Sequence, residues 1–390
     1  MVQPILISGA GLGGLLLARS LQSSHIPFEI YERDASIAVR GQGYRIRIST
    51  DGLTALQTVL TPAAYETFKA GCSQTGGGGI HSFEAVTGEP APSDISGGPG
   101  GRGPGAGGPK LGGDVLGVDR GFLRRTLLAG MEDAITFGKQ VVGYDLTDTG
   151  VKVRFRDGTV SSEGSLLVGA DGAHSIITKQ LTEGAVRTYD TGARMIHGQT
   201  PARAFRELGE GVFSVRHHTE NGGKLGLITN VRPGSLPDAE IGWVFVGGPG
   251  TFSAPDDNFS IVGQVAADLI RELTSSWHPK FRTIFDQQND AEAAFLKMST
   301  ARPEGVPGWA NQPRVTLLGD AVHAMTPAGG VGANTALKDA AFIGRLLKDG
   351  GGWQPYVTDE YEKEMRVYAS ANVAMSFETA AKQFDIKELK

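Results

Sequence analysis

Ile5-Leu6-Ile7-Ser8-Gly9-Ala10-Gly11-Leu12-Gly13-Gly14 runs on into Leu15-Leu16-Leu17-Ala18-Arg19-Ser20-Leu21 and, after a break, into Phe28-Glu29-Ile30-Tyr31-Glu32-Arg33. The apolar run Pro4 to Ile7 is too short for a helix and predicts a strand buried on both faces. Gly9-x-Gly11-x-x-Gly14 follows at once. Gly9 permits a tight turn, Gly11 lets the backbone approach a pyrophosphate, and Gly14 lets the following helix lie close on the sheet. The helix start then offers unpaired N–H groups and a partial positive charge to phosphate. Glu32 closes the second strand (Phe28 to Tyr31), where a carboxylate accepts hydrogen bonds from the ribose of an adenosine. Its charge disfavours a 2′-phosphate and therefore a tightly held NADP. Strand, glycine turn, helix, strand and acidic residue together predict a dinucleotide site.

Working outward, 390 residues predict two joined lobes rather than one core. A net charge of -5, with no block of basic residues, argues against nucleic acid as a partner. The single cysteine, Cys72, excludes an internal disulfide and any cysteine-rich metal centre, and no metal is expected. Neither a signal peptide nor a membrane span is visible, so a soluble cytoplasmic protein is the expectation.

Arg40 to Ile48 leads through two glycines into Tyr44-Arg45-Ile46-Arg47-Ile48, whose period of two predicts a strand with one charged and one apolar face. Its arginines suit either solvent or an anionic ligand. Within Gly97 to Gly113, thirteen of seventeen residues are Gly or Pro, too little apolar surface to offset the entropy of ordering. Residues 76–113 therefore read as a loop insertion. Asp119 suits the N-cap of a helix carrying Arg120, Phe122, Leu123 and Leu127. Short strands are expected near 139–142, 150–155 and 159–161, the last two joined by Arg156-Asp157-Gly158.

Leu166-Leu-Val-Gly-Ala-Asp171-Gly172 repeats the N-terminal grammar and puts Asp171 at the carboxyl end of a buried strand. From Val186 to about Leu296 the pattern alternates and turns aromatic, as in a separate, mostly antiparallel sheet. His217 and His218 are adjacent on a strand, face opposite ways and read as structural. Arg314 to Leu318 then forms another buried strand ahead of Gly319-Asp320-Ala-Val-His323-Ala-Met-Thr-Pro327-Ala-Gly-Gly330-Val331-Gly332-Ala333-Asn334 and a helix. The fold class is thus α/β, with a Rossmann-like lobe over 1–75, 114–183 and 297–350. A second lobe, built on the mostly antiparallel sheet, covers 184–296, and a helical segment covers 351–390.

These three signatures, at Gly9, Gly169 and Gly319, stand in the order and spacing of the FAD-dependent monooxygenases of the para-hydroxybenzoate hydroxylase type, which the chain resembles over nearly its whole length. The stretch Arg40 to Ile48 resembles the subset found in fungal secondary metabolism. The resemblance implies FAD as cofactor, NADPH or NADH as transient electron donor, and a small-molecule substrate with O2. It implies oxygen addition at flavin C4a and transfer of one oxygen atom to an electron-rich, apolar aromatic or polycyclic substrate. A flavin dehydrogenase or reductase, a Baeyer–Villiger or epoxidising enzyme, and a non-catalytic flavin-binding module remain the alternatives.

Carried over by resemblance, the turn of Gly9, Gly11, Leu12 and Gly14 would hold the cofactor together with Glu32, Arg33 and Gly43. Glu32 would bind the adenosine ribose, Arg120 the pyrophosphate, and Asp171 would lie close by. Asp320 would bond the ribityl chain and Pro327 would line the flavin ring. Gly330, Val331, Gly332, Ala333 and Asn334 would turn backbone N–H groups to its pyrimidine edge. Arg45, Arg194 and Tyr44 are the candidates beside the flavin ring and substrate. His323 is expected to pack beside the cofactor. Oligomeric state is left open.

Overall fold

The computed structural model describes residues 2–37, 45–74, 80–92, 115–231, 238–253 and 260–390. Its centre is the strand Ile5–Ser8, whose Ile5, Leu6 and Ile7 are wholly inaccessible to solvent, as a strand covered on both faces requires. Around it a parallel sheet runs in the order Val315–Leu317, Leu166–Gly169, Ile5–Ser8, Phe28–Tyr31, Ile135–Thr136. The register pairs Ser8 with both Tyr31 and Gly169, so the turns after three strands leave the sheet at one edge. That edge carries Gly9, Glu32, Asp171 and Gly319-Asp320, the place where ligands of open parallel sheets bind.

Two helices, Leu12–Ser23 and Gly332–Asp349, pack side by side on this sheet. Their close crossing rests on Gly344, where a Cβ would stand 2.4 Å from Ser20 Oγ. The 28-residue helix Val357–Phe384 braces the edge strand, with Tyr361 donating to the Leu317 carbonyl at 3.0 Å and Thr316 donating to Glu362 at 2.9 Å. Among the described residues no helix is long and apolar enough to cross a membrane.

Among the described residues the second sheet has seven strands in the order Ser260–Val262, Ala294–Thr300, Tyr189–Pro201, Glu240–Gly247, Lys224–Val231, Gly211–His218, Ile80–Glu84. All neighbours are antiparallel except the last pair. One face buries Ile196, Phe213, Leu227, Phe245 and Phe295 against Ile270, Phe281, Ile284 and Phe285 of two covering helices, Gln264–Leu273 and Pro279–Asp286. Ala193, Val246 and Met298 lie on the other face and pack on Ala328, Ala380 and Phe384 of the first lobe's side. The two lobes therefore meet across that second face. Trp277 Nε1 donates to His217 at 3.0 Å, a structural bond inside the covered face.

Three expectations need correction. Ile80–Glu84 is an edge strand of the second sheet, not part of a loop insertion, because Phe83 packs against the core of that sheet next to Phe213 and Phe281. The strand Ala294–Thr300 continues the second sheet past residue 297, so the return to the first lobe comes later. Residues 159–161 make a single bridge, Arg154 to Val160, because the Gly158 turn leaves too few residues for a ladder.

Candidate functional site

The glycine turn is built by exclusion. Gly9 has φ +105°, and a Cβ there would lie 2.4 Å from the Ala170 carbonyl oxygen. At Gly14 a Cβ would lie 2.1 Å from the Gly9 carbonyl oxygen. At Gly11 it would meet no protein atom within 4 Å, so this glycine faces open space at the start of the Leu12–Ser23 helix. A turn closed on two sides by protein and open on the third is a cradle for a phosphate-sized group.

Glu32 is buried and closes the side of the cradle. Its carboxylate accepts from the backbone N–H of Ala10 at 2.9 Å and of Asp34 at 3.0 Å, and lies 3.5 Å from the guanidinium of Arg124. Arg124 also donates to the Ala10 carbonyl at 2.9 Å and the Ile37 carbonyl at 3.2 Å. Sequence reasoning missed Arg124, since an arginine on a helix reads as surface. The available signal was its position one turn past Arg120. Arg33 stays half exposed, 3.8 Å from Asp34.

Asp171 follows the Leu166–Gly169 strand. Its Oδ1 is buried without any hydrogen-bond partner, an orphaned acceptor aimed at the same edge. Burial pushes the carboxyl up from the ordinary 3.8 to about 6, against hydrogen bonds from Ser175 and Ile176 and the charge of Arg33. The folded protein thus holds a proton that the unfolded chain has released between those two values. Stability from this group falls as pH rises through that window, by about 3 kcal/mol at most. Asp171→Asn is expected to raise the melting temperature of flavin-free protein at neutral pH and to leave it unchanged in acid. A scan of melting temperature against pH checks this.

Gly319, at φ +62°, turns the chain from the Val315–Leu317 strand into Asp320. The Asp320 side chain is reached by solvent, yet so much protein surrounds it that burial raises its pKa, opposed by the charges of His323 and Arg120. Accessible and desolvated at once, it is the wall of a deep cleft. Asp119 caps the helix that carries Arg120, accepting from Phe122 N–H at 2.7 Å. Arg120 also acts on His197 of the second sheet, which burial first, and then that charge, hold down at about 4. His197 is therefore neutral at physiological pH. Both lobes converge on this point.

Beyond it, Gly329 and Gly330 take φ +79° and +66° before the helix Gly332–Asp349 begins. The Asn334 side chain staples this turn, accepting from Ser49 N–H at 2.8 Å and donating to the carbonyls of Arg47 at 2.9 Å and Gly330 at 2.8 Å. The first N–H groups of the helix have no intrahelical acceptor, which leaves Gly332 to Asn334 as donors toward the cleft.

Arg194 is paired within its own strand. A register shift between Asp190 and Arg194, with Gly192 at φ +75°, sets the alternation of this strand. Met195 and His197 share the face turned to the first lobe. Arg194 shares the opposite face with Ile196, and its guanidinium is held by both oxygens of Asp190, at 2.8 and 3.0 Å, and by the Ala193 carbonyl. Arg194→Ala is expected to lower stability by about 1–2 kcal/mol and to leave FAD retention intact, as thermal melts and a flavin titration would read. Gly43 and Tyr44 lie outside the described residues, as does the side chain of Arg45, whose backbone pairs with Asp119.

The model of a family described as "FAD binding domain" matches residues 283–376. The dual O-methyltransferase/FAD-dependent monooxygenase elcB of Phaeosphaeria nodorum is 35% identical over 385 residues, covering 89% of this chain and 40% of that protein. The FAD-dependent monooxygenase thnD of Trichoderma harzianum is 28% identical, covering 88% of this chain and 82% of the relative. A putative FAD-containing monooxygenase from Photorhabdus luminescens superposes with a TM-score of 0.75 at 27% identity, over 98% of this chain and 99% of the other. Over most of its length the chain is thus similar to FAD-dependent monooxygenases. It spans less than half the length of the dual-function relative.

FAD is accordingly the cofactor, and the residues present fit it. The glycine cradle has no room for a side chain on two sides, and the orphaned Asp171 oxygen has none of the partners a buried acceptor needs. Among the described residues no group of three or more His, Cys, Asp or Glu side chains is placed to hold a metal ion.

Proposed function

We propose that this monooxygenase fold uses FAD, with NADPH or NADH as donor, to insert one atom of O2 into an apolar aromatic or polycyclic substrate. The observation that carries the reading is the convergence of three acidic residues that follow strands, Glu32, Asp171 and Asp320, with the Gly9 turn, on one sheet edge that faces the second lobe. When bound, the flavin supplies hydride acceptance from the nicotinamide and activation of oxygen.

The chain's own residues do the rest. The Gly9–Gly14 cradle, with Leu12 at the helix start, and Arg120 hold the pyrophosphate. Arg33 adds positive charge at its rim. Glu32 holds the Ala10 turn in place and meets the adenosine ribose. Asp320 holds the ribityl hydroxyls, and Pro327 lines the ring. The N–H groups of Gly332 to Asn334 stabilise negative charge on the pyrimidine edge, an effect of roughly 0.3–1 kcal/mol, reaching ~2 in a partly buried site.

The facing wall of the second sheet carries Met195, Val244, Val246 and Leu296, on the same face as His197. An apolar wall with a neutral histidine excludes water and favours an uncharged ring system over a small acid. Oxygen uptake coupled to NADPH and NADH oxidation, measured across a panel of polycyclic phenols and benzoate-sized acids, tests this. Polycyclic phenols are expected to stimulate uptake. Preference for the small acids would overturn the substrate reading.

A further inference from the structure

Directly behind Asp320 lies a buried cluster that the cofactor contacts do not use. His323 and Asp339 are wholly inaccessible, with His323 Nε2 2.6 Å from Asp339 Oδ2. The same carboxylate accepts from Gly319 N–H at 2.8 Å and from the Tyr368 hydroxyl at 2.6 Å. Asp339 therefore ties together four elements: the Gly319 turn, the short helix Asp320–His323, its own helix Gly332–Asp349, and the C-terminal helix. Two of them are the elements that present Asp320 and the Gly332–Asn334 donors.

The cluster contains two carboxylates in a desolvated region with one histidine beside both. Asp320 lies one helical turn from His323 on the same short helix, the spacing that brings side chains together. Two ionised carboxylates left alone at such a distance would oppose each other, and one would take up a proton. We propose that His323 is held as an imidazolium by Asp339 and so keeps Asp320 ionised for the cofactor, with Asp339 and Tyr368 as positioning residues that act through it. Nδ1 of His323 makes no hydrogen bond within the protein. The positive charge therefore depends on Asp339 at contact and Asp320 nearby, against the cost of an unpartnered Nδ1. The charged and titratable groups facing the cluster are Asp320 from its own helix, Asp339, Tyr361 and Tyr368 from the two long helices, and Arg120 across the cleft. Burial by itself lowers the pKa of His323, and the charge and hydrogen bond of Asp339 with the charge of Asp320 outweigh it, so that His323 lies above its ordinary value.

This inference rests on Asp320 meeting the flavin, as proposed above, and its test separates the two. Histidine ring nitrogen-15 spectra of the protein, flavin-free and FAD-loaded, report the charge of His323 whether or not flavin binds. The expected result is a doubly protonated ring at neutral pH that becomes neutral in Asp339→Asn. A neutral ring in the wild-type protein overturns the proposal.

FAD titrations give the second reading. His323→Gln leaves two facing carboxylates and is expected to weaken FAD binding about tenfold or more near neutral pH, the equivalent of one pKa unit of lost charge interaction. The double variant His323→Gln/Asp339→Asn restores the net charge of the cluster and should recover most of that loss. A double variant that binds FAD no better than His323→Gln alone overturns the charge balance and leaves only a packing role. Wild-type protein that binds no FAD would instead sink the cofactor reading, with the nitrogen spectra still deciding His323.

Discussion

Gly14→Ala is expected to eliminate stoichiometric FAD binding and to destabilise the protein, whereas Gly11→Ala should eliminate binding alone. The added methyl at Gly14 would sit 2.1 Å from the Gly9 carbonyl oxygen, so the helix must move outward or the turn must open. Neither yields cheaply. Gly9 is itself fixed at φ +105° against Ala170, and the helix is packed by Leu15, Leu16, Leu17 and Leu21, all fully buried. Overpacking of this kind costs about 1–3 kcal/mol. If all of it falls on the cradle geometry, FAD affinity drops by roughly ten- to a hundredfold or more. At Gly11 the methyl meets nothing in the protein, and the only thing it displaces is what approaches the turn from outside. Thermal melts and FAD titrations of both variants separate the two effects. A Gly11→Ala protein that keeps wild-type affinity would mean the cradle is not the pyrophosphate site.

Arg124→Met is expected to be among the most destabilising single substitutions outside the apolar core. It strands the buried Glu32 carboxylate, whose side chain is 9% exposed against 5% for Arg124, and releases the carbonyls of Ala10 and Ile37. Removing one partner of such a pair costs about 3–5 kcal/mol because the other charge stays buried. Replacing both, as Glu32→Leu/Arg124→Met, should recover part of that loss in a denaturant titration. It should not recover FAD affinity, since the ribose loses its acceptor. Full additivity of the two single losses would show that Glu32 and Arg124 do not act as a pair.

The parts of this fold that were legible in the sequence are those fixed by local geometry. The strands Ile5–Ser8 and Leu166–Gly169 are short apolar runs that no helix could satisfy, and each is followed by a glycine at positive φ, Gly9 and Gly172. Asp119 reads as a cap because its carboxylate has a donor three residues on. What escaped notice depends on partners distant in sequence. Arg124 is buried because Glu32 and Ala10 lie more than ninety residues earlier in the chain. Asp339 reads as one polar residue on an amphipathic helix until His323, Gly319 and Tyr368 close around it. For Arg194, strand alternation fixes only which residues share its face. Which face meets the cofactor lobe was decided by Ala193, Val246 and Met298 packing on Ala328. The Ile80–Glu84 strand was hidden by the glycine-rich residues on both sides of it.

The measurement closest to the central claim is oxygen-isotope incorporation under 18O2, with FAD-loaded protein, NADPH or NADH and a polycyclic phenol that stimulates oxygen uptake. The expected product is heavier by one 18O atom, with formation lost in Asp320→Ala unless FAD is supplied in excess. Nicotinamide oxidation in which all of the oxygen consumed leaves as hydrogen peroxide, with no label in any organic product, would contradict it.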